Sequence, residues 1–198
     1  MKIVIIQPPF VQLNSPYPSG AYLSNFFIQN FGLSGSVKWL DLSIQLFDSI
    51  FSKEGLSKLF ELSEQNALQI ANKAEQNGDD FTAFNLRRYV STKNAWINYI
   101  DQIKSILNCK NSGREVSHKF IFSASAPRGN RMESFLANLK EEPTVDQARF
   151  LASLALADLA DYITFAFDKN FSLIRYAEAV STENKSLKKI NEELKSPI

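Results

Sequence analysis

The stretch Met1-Lys2-Ile3-Val4-Ile5-Ile6-Gln7-Pro8-Pro9 decides the fold of the N-terminal part of this chain. It reads as a buried strand, because a continuous apolar run suits a strand covered on both faces. The Pro pair stops it, since proline has no amide to give to a ladder. Ser15-Pro16-Tyr17-Pro18-Ser19-Gly20-Ala21-Tyr22-Leu23 reads as a loop turning into a helix, and Val37-Lys38-Trp39-Leu40-Asp41-Leu42 as a second strand. Strand, Pro-rich loop, helix, strand is the start of an open parallel, Rossmann-like α/β sheet. Ligands in such sheets lie just beyond the carboxyl ends of the strands. The loop from Gln7 to Gly20 falls at that place.

This loop is the best site candidate in the chain. Its prolines stiffen the backbone. Gly20 allows close approach near a helix N-terminus, where free amides favour phosphate or amide oxygens. Tyr17 and Tyr22 suit a flat ring. The plainer reading is a rigid strand–helix connection with its Tyr rings in the core.

The same residues resemble a family. A strand ending in a Pro-Pro pair (Ile5-Ile6-Gln7-Pro8-Pro9), a helix start at Pro16–Leu23 and a second strand ending in Trp39-Leu40-Asp41-Leu42 look like the N-terminus of cobalamin-binding radical SAM proteins. Phe150–Asp158 and Asn170–Tyr176 look similar to a helical insert in one branch of that family. The resemblance implies that Gln7, Pro8, Pro9, Tyr17, Pro18, Ser19 and Gly20 line the cobalamin side, with Asp41 at the end of the second strand near it. It also implies a later barrel that holds S-adenosylmethionine and a [4Fe–4S] cluster, and an activity such as methyl transfer to an unreactive carbon or phosphorus.

The chain departs from that family's wider pattern. A radical SAM cluster needs a C-x-x-x-C-x-x-C run, and this sequence has one cysteine, Cys109. Several thiolates are required to hold such a cluster. The D-x-H-x-x-G motif for a lower imidazole ligand is also missing, because the single histidine, His118, stands in Val116-Ser117-His118-Lys119. The expectation is an N-terminal piece of a longer protein, inactive alone, with no catalytic or metal-ligating set of its own. Its first partner is then the remainder of its own polypeptide.

Composition narrows the alternatives. Hydrophobic residues make up 44% and charged residues 22%, as in a globular domain with a core. Net charge is +1, which gives no electrostatic reason to expect nucleic acid or an anionic membrane. No apolar run reaches the roughly 18 residues needed to span a bilayer. The start runs directly into a strand without a signal-peptide pattern. With a single cysteine, these features lead to an expectation of a reducing, cytoplasmic location, bacterial in type.

The remainder reads as helical. Residues 1–42 are the α/β portion, and 43–198 a helical insert expected to pack on it. Leu56, Leu59, Phe60, Ala67, Ile70, Ala71 and Ala74 fall at helical spacing. Asn77-Gly78-Asp79-Asp80 signals a turn. One longer helix is expected after it, with Trp96, Ile100, Ile103 and Leu107 on a stripe, ending at Lys110–Gly113. Phe120-Ile121-Phe122 fits a short strand or a buried loop. Pro127-Arg128-Gly129-Asn130 turns the chain. Thr144-Val145-Asp146-Gln147 is a capping-box pattern. The helix it opens directs Phe150, Leu151, Leu154, Ala155 and Leu159 inward, and Tyr162–Phe167 continues it. Asp168–Val180 and Glu183–Leu194 read as further helices. Two strands do not make a stable open sheet alone. A third strand from the insert, strands beyond residue 198, or edge pairing between two copies of this piece would each complete it.

Other reactive residues have plain readings. Cys109 stands near a helix C-terminus, where the dipole raises a thiol pKa. His118 has no companion ligands. Asp158 and Asp161 could pair as acid and base, or form one polar face of a helix. Arg87-Arg88, and Arg128 with Arg131, could grip an anion or sit in internal salt bridges. No P-loop, dinucleotide or hydrolase motif is present. The rival functional reading is a stand-alone helical protein-interaction module with a small α/β cap and no enzymatic activity.

Overall fold

A computed structural model describes residues 2–7, 18–107, 115–139, 144–171 and 173, with backbone alone at 115–118. The protein is predominantly helical, with a small parallel sheet at its start. It divides into two compact units. The first holds the described residues up to Ser49, with Asn170, Phe171 and Leu173; the second is Ile50–Lys169.

In the first unit, strand β1 (Ile3–Gln7) pairs in parallel with β2 (Val37–Asp41), and helix α1 (Ser19–Phe31) is the crossover between them. The register sets Ile3 against Val37 and Gln7 against Asp41, so the strands' carboxyl ends lie side by side. Gly32, at φ 62°, closes α1 in the left-handed conformation that glycine adopts without strain. Helix α2 (Leu42–Ile50) follows β2 directly.

β1 is not buried on both faces, as its sequence suggests. Val4 and Ile6 are each 55% exposed, while Ile3, Ile5 and Gln7 are half-buried. Positions 3–6 are all apolar, so their pattern cannot say which face is covered. Helix α1 packs on the sheet, and side chains alternate across a strand. Among the described residues the sheet has two strands, and the insert supplies no third. Helix α1 also leaves Tyr22, Leu23, Phe26 and Phe31 exposed.

The second unit is helical throughout: α3 (Lys53–Gln76), α4 (Asp80–Ser91), α5 (Lys93–Leu107), α6 (Glu115–Phe122), α7 (Asn130–Ala137) and α8 (Val145–Ala166). α3 starts at Ser52, whose Oγ accepts the Gly55 amide at 2.9 Å. α3 and α4 form a hairpin through Asn77-Gly78, with Gly78 at φ 78°. The single helix expected after this turn is broken at Thr92. Its hydroxyl donates to the Arg88 carbonyl at 2.8 Å, and its own carbonyl accepts the Ala95 amide. A side chain that bonds its own backbone competes with helix continuation.

α8 is the axis of this unit and touches α3 through α7. Its Ala/Leu sequence is apolar on most sides, as a helix surrounded by others requires. The capping box at its start is complete: Thr144 Oγ1 accepts the Gln147 amide at 3.2 Å, and Gln147 Oε1 accepts the Thr144 amide at 2.8 Å. Leu151, Ala155 and Leu159 are buried as expected. Phe150 is 50% exposed and lies edge-on to Phe135. The helix runs through Tyr162 to Ala166. Asp168–Phe171, expected to begin another helix, are not helical; the remaining residues of that helix and of Glu183–Leu194 lie outside the described set, as does the stop at Lys110–Gly113. Phe120–Phe122, expected as strand or loop, is the last turn of α6.

Rings from several helices meet at the centre. Phe60 and Tyr162 have centroids 4.8 Å apart, and Tyr89 lies 5.4 Å from Tyr162 and 6.0 Å from Trp96. The buried Tyr162 hydroxyl is satisfied by Ser63 Oγ at 2.8 Å, as a polar atom in a core requires.

Candidate functional site

The site expected from the sequence lies at the carboxyl ends of β1 and β2. Gln7, Pro18, Ser19, Gly20 and Asp41 are described there; Pro8, Pro9 and Tyr17 lie outside the described residues. Ser19 Oγ donates to Gln7 Oε1 at 3.5 Å, a long contact that joins the helix start to the end of β1. Pro18 is the N-cap of α1 and has no side-chain oxygen to offer. The first turn of α1 carries no acidic residue. Its leading amides therefore have no side-chain cap, and a helix start of this kind attracts anions and carbonyl oxygens.

Gly20 is buried, and the reason lies in β2. A Cβ at this position would stand 2.0 Å from Trp39 Nε1 and 2.4 Å from Cδ1. The indole thus lies flat against the glycine backbone, and α1 closes down on the sheet. Trp39 Nε1 is buried and donates no hydrogen bond. Two residues on, Asp41 Oδ1 accepts the amides of Ser43 at 3.0 Å and Ile44 at 3.1 Å, which caps α2. Asp41 Oδ2 is buried and accepts nothing.

Trp39 and Asp41 are two apart on β2 and share a face. One orphan donor at mid-strand and one orphan acceptor at the strand's end therefore lie on one face of β2. Buried polar atoms are nearly always bonded, so each such atom calls for an explanation. Trp39 was legible only as part of a strand. A large indole opposite a glycine on the crossover helix was the signal that placed it here. Tyr22 is 75% exposed.

Residues weighed elsewhere are occupied within the second unit. Asp158 is fully buried; its carboxylate accepts the Arg131 amide at 2.9 Å and the Met132 amide at 3.2 Å. It caps α7 from α8, so it is no member of an exposed polar face. Burial pushes its pKa up to about 6 against the pull of those two amides, with neighbouring Asp161 adding to the rise. Asp161 takes the Arg131 guanidinium in a two-point pair at 2.8 and 3.0 Å. Arg87 bonds Glu75 and Asn72, Arg88 pairs with Glu133, and Arg128 donates to the carbonyls of Phe122 and Ser123. Arg87, Arg88 and Arg131 are internally salt-bridged, while Arg128 is held by backbone carbonyls.

His118 has only its backbone described, in α6, and Cys109 lies outside the described residues. Among the described residues no three His, Cys, Asp or Glu side chains gather to hold a metal ion, and no helix is long and apolar enough to cross a membrane. No protein-family model, no curated protein and no solved structure matches this chain.

Proposed function

We propose that the first unit is the opening of a cobalamin-binding open sheet, and that the complete protein is a radical SAM enzyme of the methyl-transfer class. The observation that carries the reading is the buried, unpartnered Trp39 Nε1 and Asp41 Oδ2 on one face of β2, with Asp41 at the carboxyl end of the two parallel strands. The helix start beside them has no side-chain cap.

The chemistry of this pair fits the group. The rim of a corrin carries carboxamide arms, and each arm is both donor and acceptor. An indole N–H and a carboxylate oxygen on one strand face suit one such arm, and the leading amides of α1 suit the carbonyl of a second. Gln7 and Ser19 would line the same edge. Cobalamin would supply methyl-carrier chemistry; the residues of this chain would bind and orient it. The [4Fe–4S] cluster and S-adenosylmethionine belong to a part of the enzyme outside these residues.

The exposed Val4–Ile6 face supports the same reading, because parallel sheets in this class of fold are covered on both faces. Further polypeptide of the same protein is the partner that would cover it. The test is hydroxocobalamin added to the protein expressed from its whole reading frame. Retention of the corrin through gel filtration, with shifted visible bands, is the expected result. An unchanged corrin spectrum and no retention would overturn the proposal.

A further inference from the structure

The second unit contains a small open cleft between α4, the start of α7 and α8, with a volume of about 80 Å³. That is room for one ring and for nothing as large as a corrin or a dinucleotide. Phe81 and Phe165 stand at its rim, 62% and 55% exposed. Large apolar rings gathered around a concavity mark binding surfaces far more often than rings scattered singly.

The rest of the lining is mixed, with Leu86 and the Tyr89 ring beside four polar side chains. Thr82 and Asn85 come from α4, Asn130 opens α7, and Asp161 comes from α8. Asn85 Oδ1 accepts from Arg88, so one side of that amide is already used.

Tyr89 is the most telling of the lining residues. It is 5% exposed and its ring belongs to the aromatic core, while its hydroxyl is not among the enclosed polar atoms left without a partner. Here the residue lines the cleft, where a ligand would meet it.

Charges around the phenol set the sign of the guest. Asp158, Asp161, Arg88 and Arg131 all act on Tyr89. Arg88 is paired with Glu133, and Arg131 with Asp161. Asp158 remains as the excess charge. Burial, with the two carboxylates adding to it, holds the phenol in its neutral, donating form. A negative guest meets like charge there, with Asp161 itself in the lining, whereas a neutral or cationic one does not.

We propose that this cleft binds an aromatic ring compound that carries hydrogen-bonding groups and no negative charge. Its ring is gripped between Phe81 and Phe165, and its polar group meets the Tyr89 hydroxyl. This site is separate from the sheet-end site and stands whether or not a corrin binds there.

Tyramine and 4-hydroxyphenylacetate test it, because they share a ring and carry opposite charges. Binding of each to the full chain is followed by saturation-transfer NMR and titration. The proposal expects tyramine to saturate the protein and to bind at least about tenfold more tightly than the acid. The double variant Phe81→Ala/Phe165→Ala removes exposed rings only, so its far-UV circular dichroism and melting should be unchanged while tyramine affinity falls about tenfold or more. Tyr89→Phe should weaken tyramine binding several-fold while keeping the core ring. No saturable tyramine binding, equal binding of acid and amine, or undiminished binding by the folded double variant would each overturn the proposal.

Discussion

The indole of Trp39 occupies the space that any side chain at Gly20 would need, with Nε1 2.0 Å from the position of a Cβ. This contact sets how closely α1 approaches the sheet and buries the indole N–H without a partner. Gly20→Ala should therefore destabilise the first unit by ~1–3 kcal/mol, the usual range for overpacking. The cost should shrink in a Trp39→Leu background, where the methyl group has room. Urea denaturation of the four members of this cycle measures the coupling. Equal cost in both backgrounds would show that the two residues do not meet.

Burial raises the Asp158 carboxyl above the ordinary carboxylate range. Its folded pKa of about 6 lies above the ordinary 3.8, so the folded state holds the proton more tightly than the unfolded chain. The stability this group contributes is fully present below about pH 4 and is lost as pH rises through 6. That rise corresponds to ~3 kcal/mol. The stability of the wild type relative to Asp158→Asn should therefore fall by up to ~3 kcal/mol from pH 4 to pH 7. A flat difference in paired urea melts would contradict it.

Gly129 is the N-cap of α7 and lies against that same carboxylate; a Cβ there would stand 2.2 Å from Asp158 Cγ. Gly129→Ala should cost ~1–3 kcal/mol by overpacking and should disturb the Asp158 titration. Carboxyl carbon NMR reads both effects, as a changed midpoint and as a shifted resonance.

The capping box of α8 should respond in a graded way. Thr144→Ala removes the acceptor for the Gln147 amide and should cost ~1 kcal/mol. Thr144→Ser keeps that acceptor and should change stability little. Thermal melts of the two variants, compared with the wild type, decide whether the box contributes to the stability of the long helix.

The elements that were readable from the sequence are those with strong local chemistry. β1, α1 and β2 follow from an apolar run, a Pro/Gly turn and a second apolar run. The start of α8 follows from Thr144 and Gln147. What escaped depended on long-range packing. Val4 and Ile6 are as apolar as Ile3 and Ile5, so only the position of α1 shows which pair stays exposed. Asp158 sits seven residues after Leu151 and three after Ala155, on the buried stripe of α8. That spacing, with Gly129 opening another helix, was the signal that it points inward. The break at Thr92 hinged on one hydroxyl choosing a backbone carbonyl. At the sheet end, the places of Gln7, Ser19, Gly20 and Asp41 follow from their order along the chain, whereas the contact of Trp39 with Gly20 depends on how α1 packs on β2.

The most direct measurement is a hydroxocobalamin titration of the protein expressed from its whole reading frame, with Trp39→Phe and Asp41→Asn run alongside. The account predicts a retained, spectrally shifted corrin in the wild type and weaker retention in both variants, with their helical content unchanged. A corrin spectrum that stays the same and a cofactor that washes away from the folded wild type would contradict it.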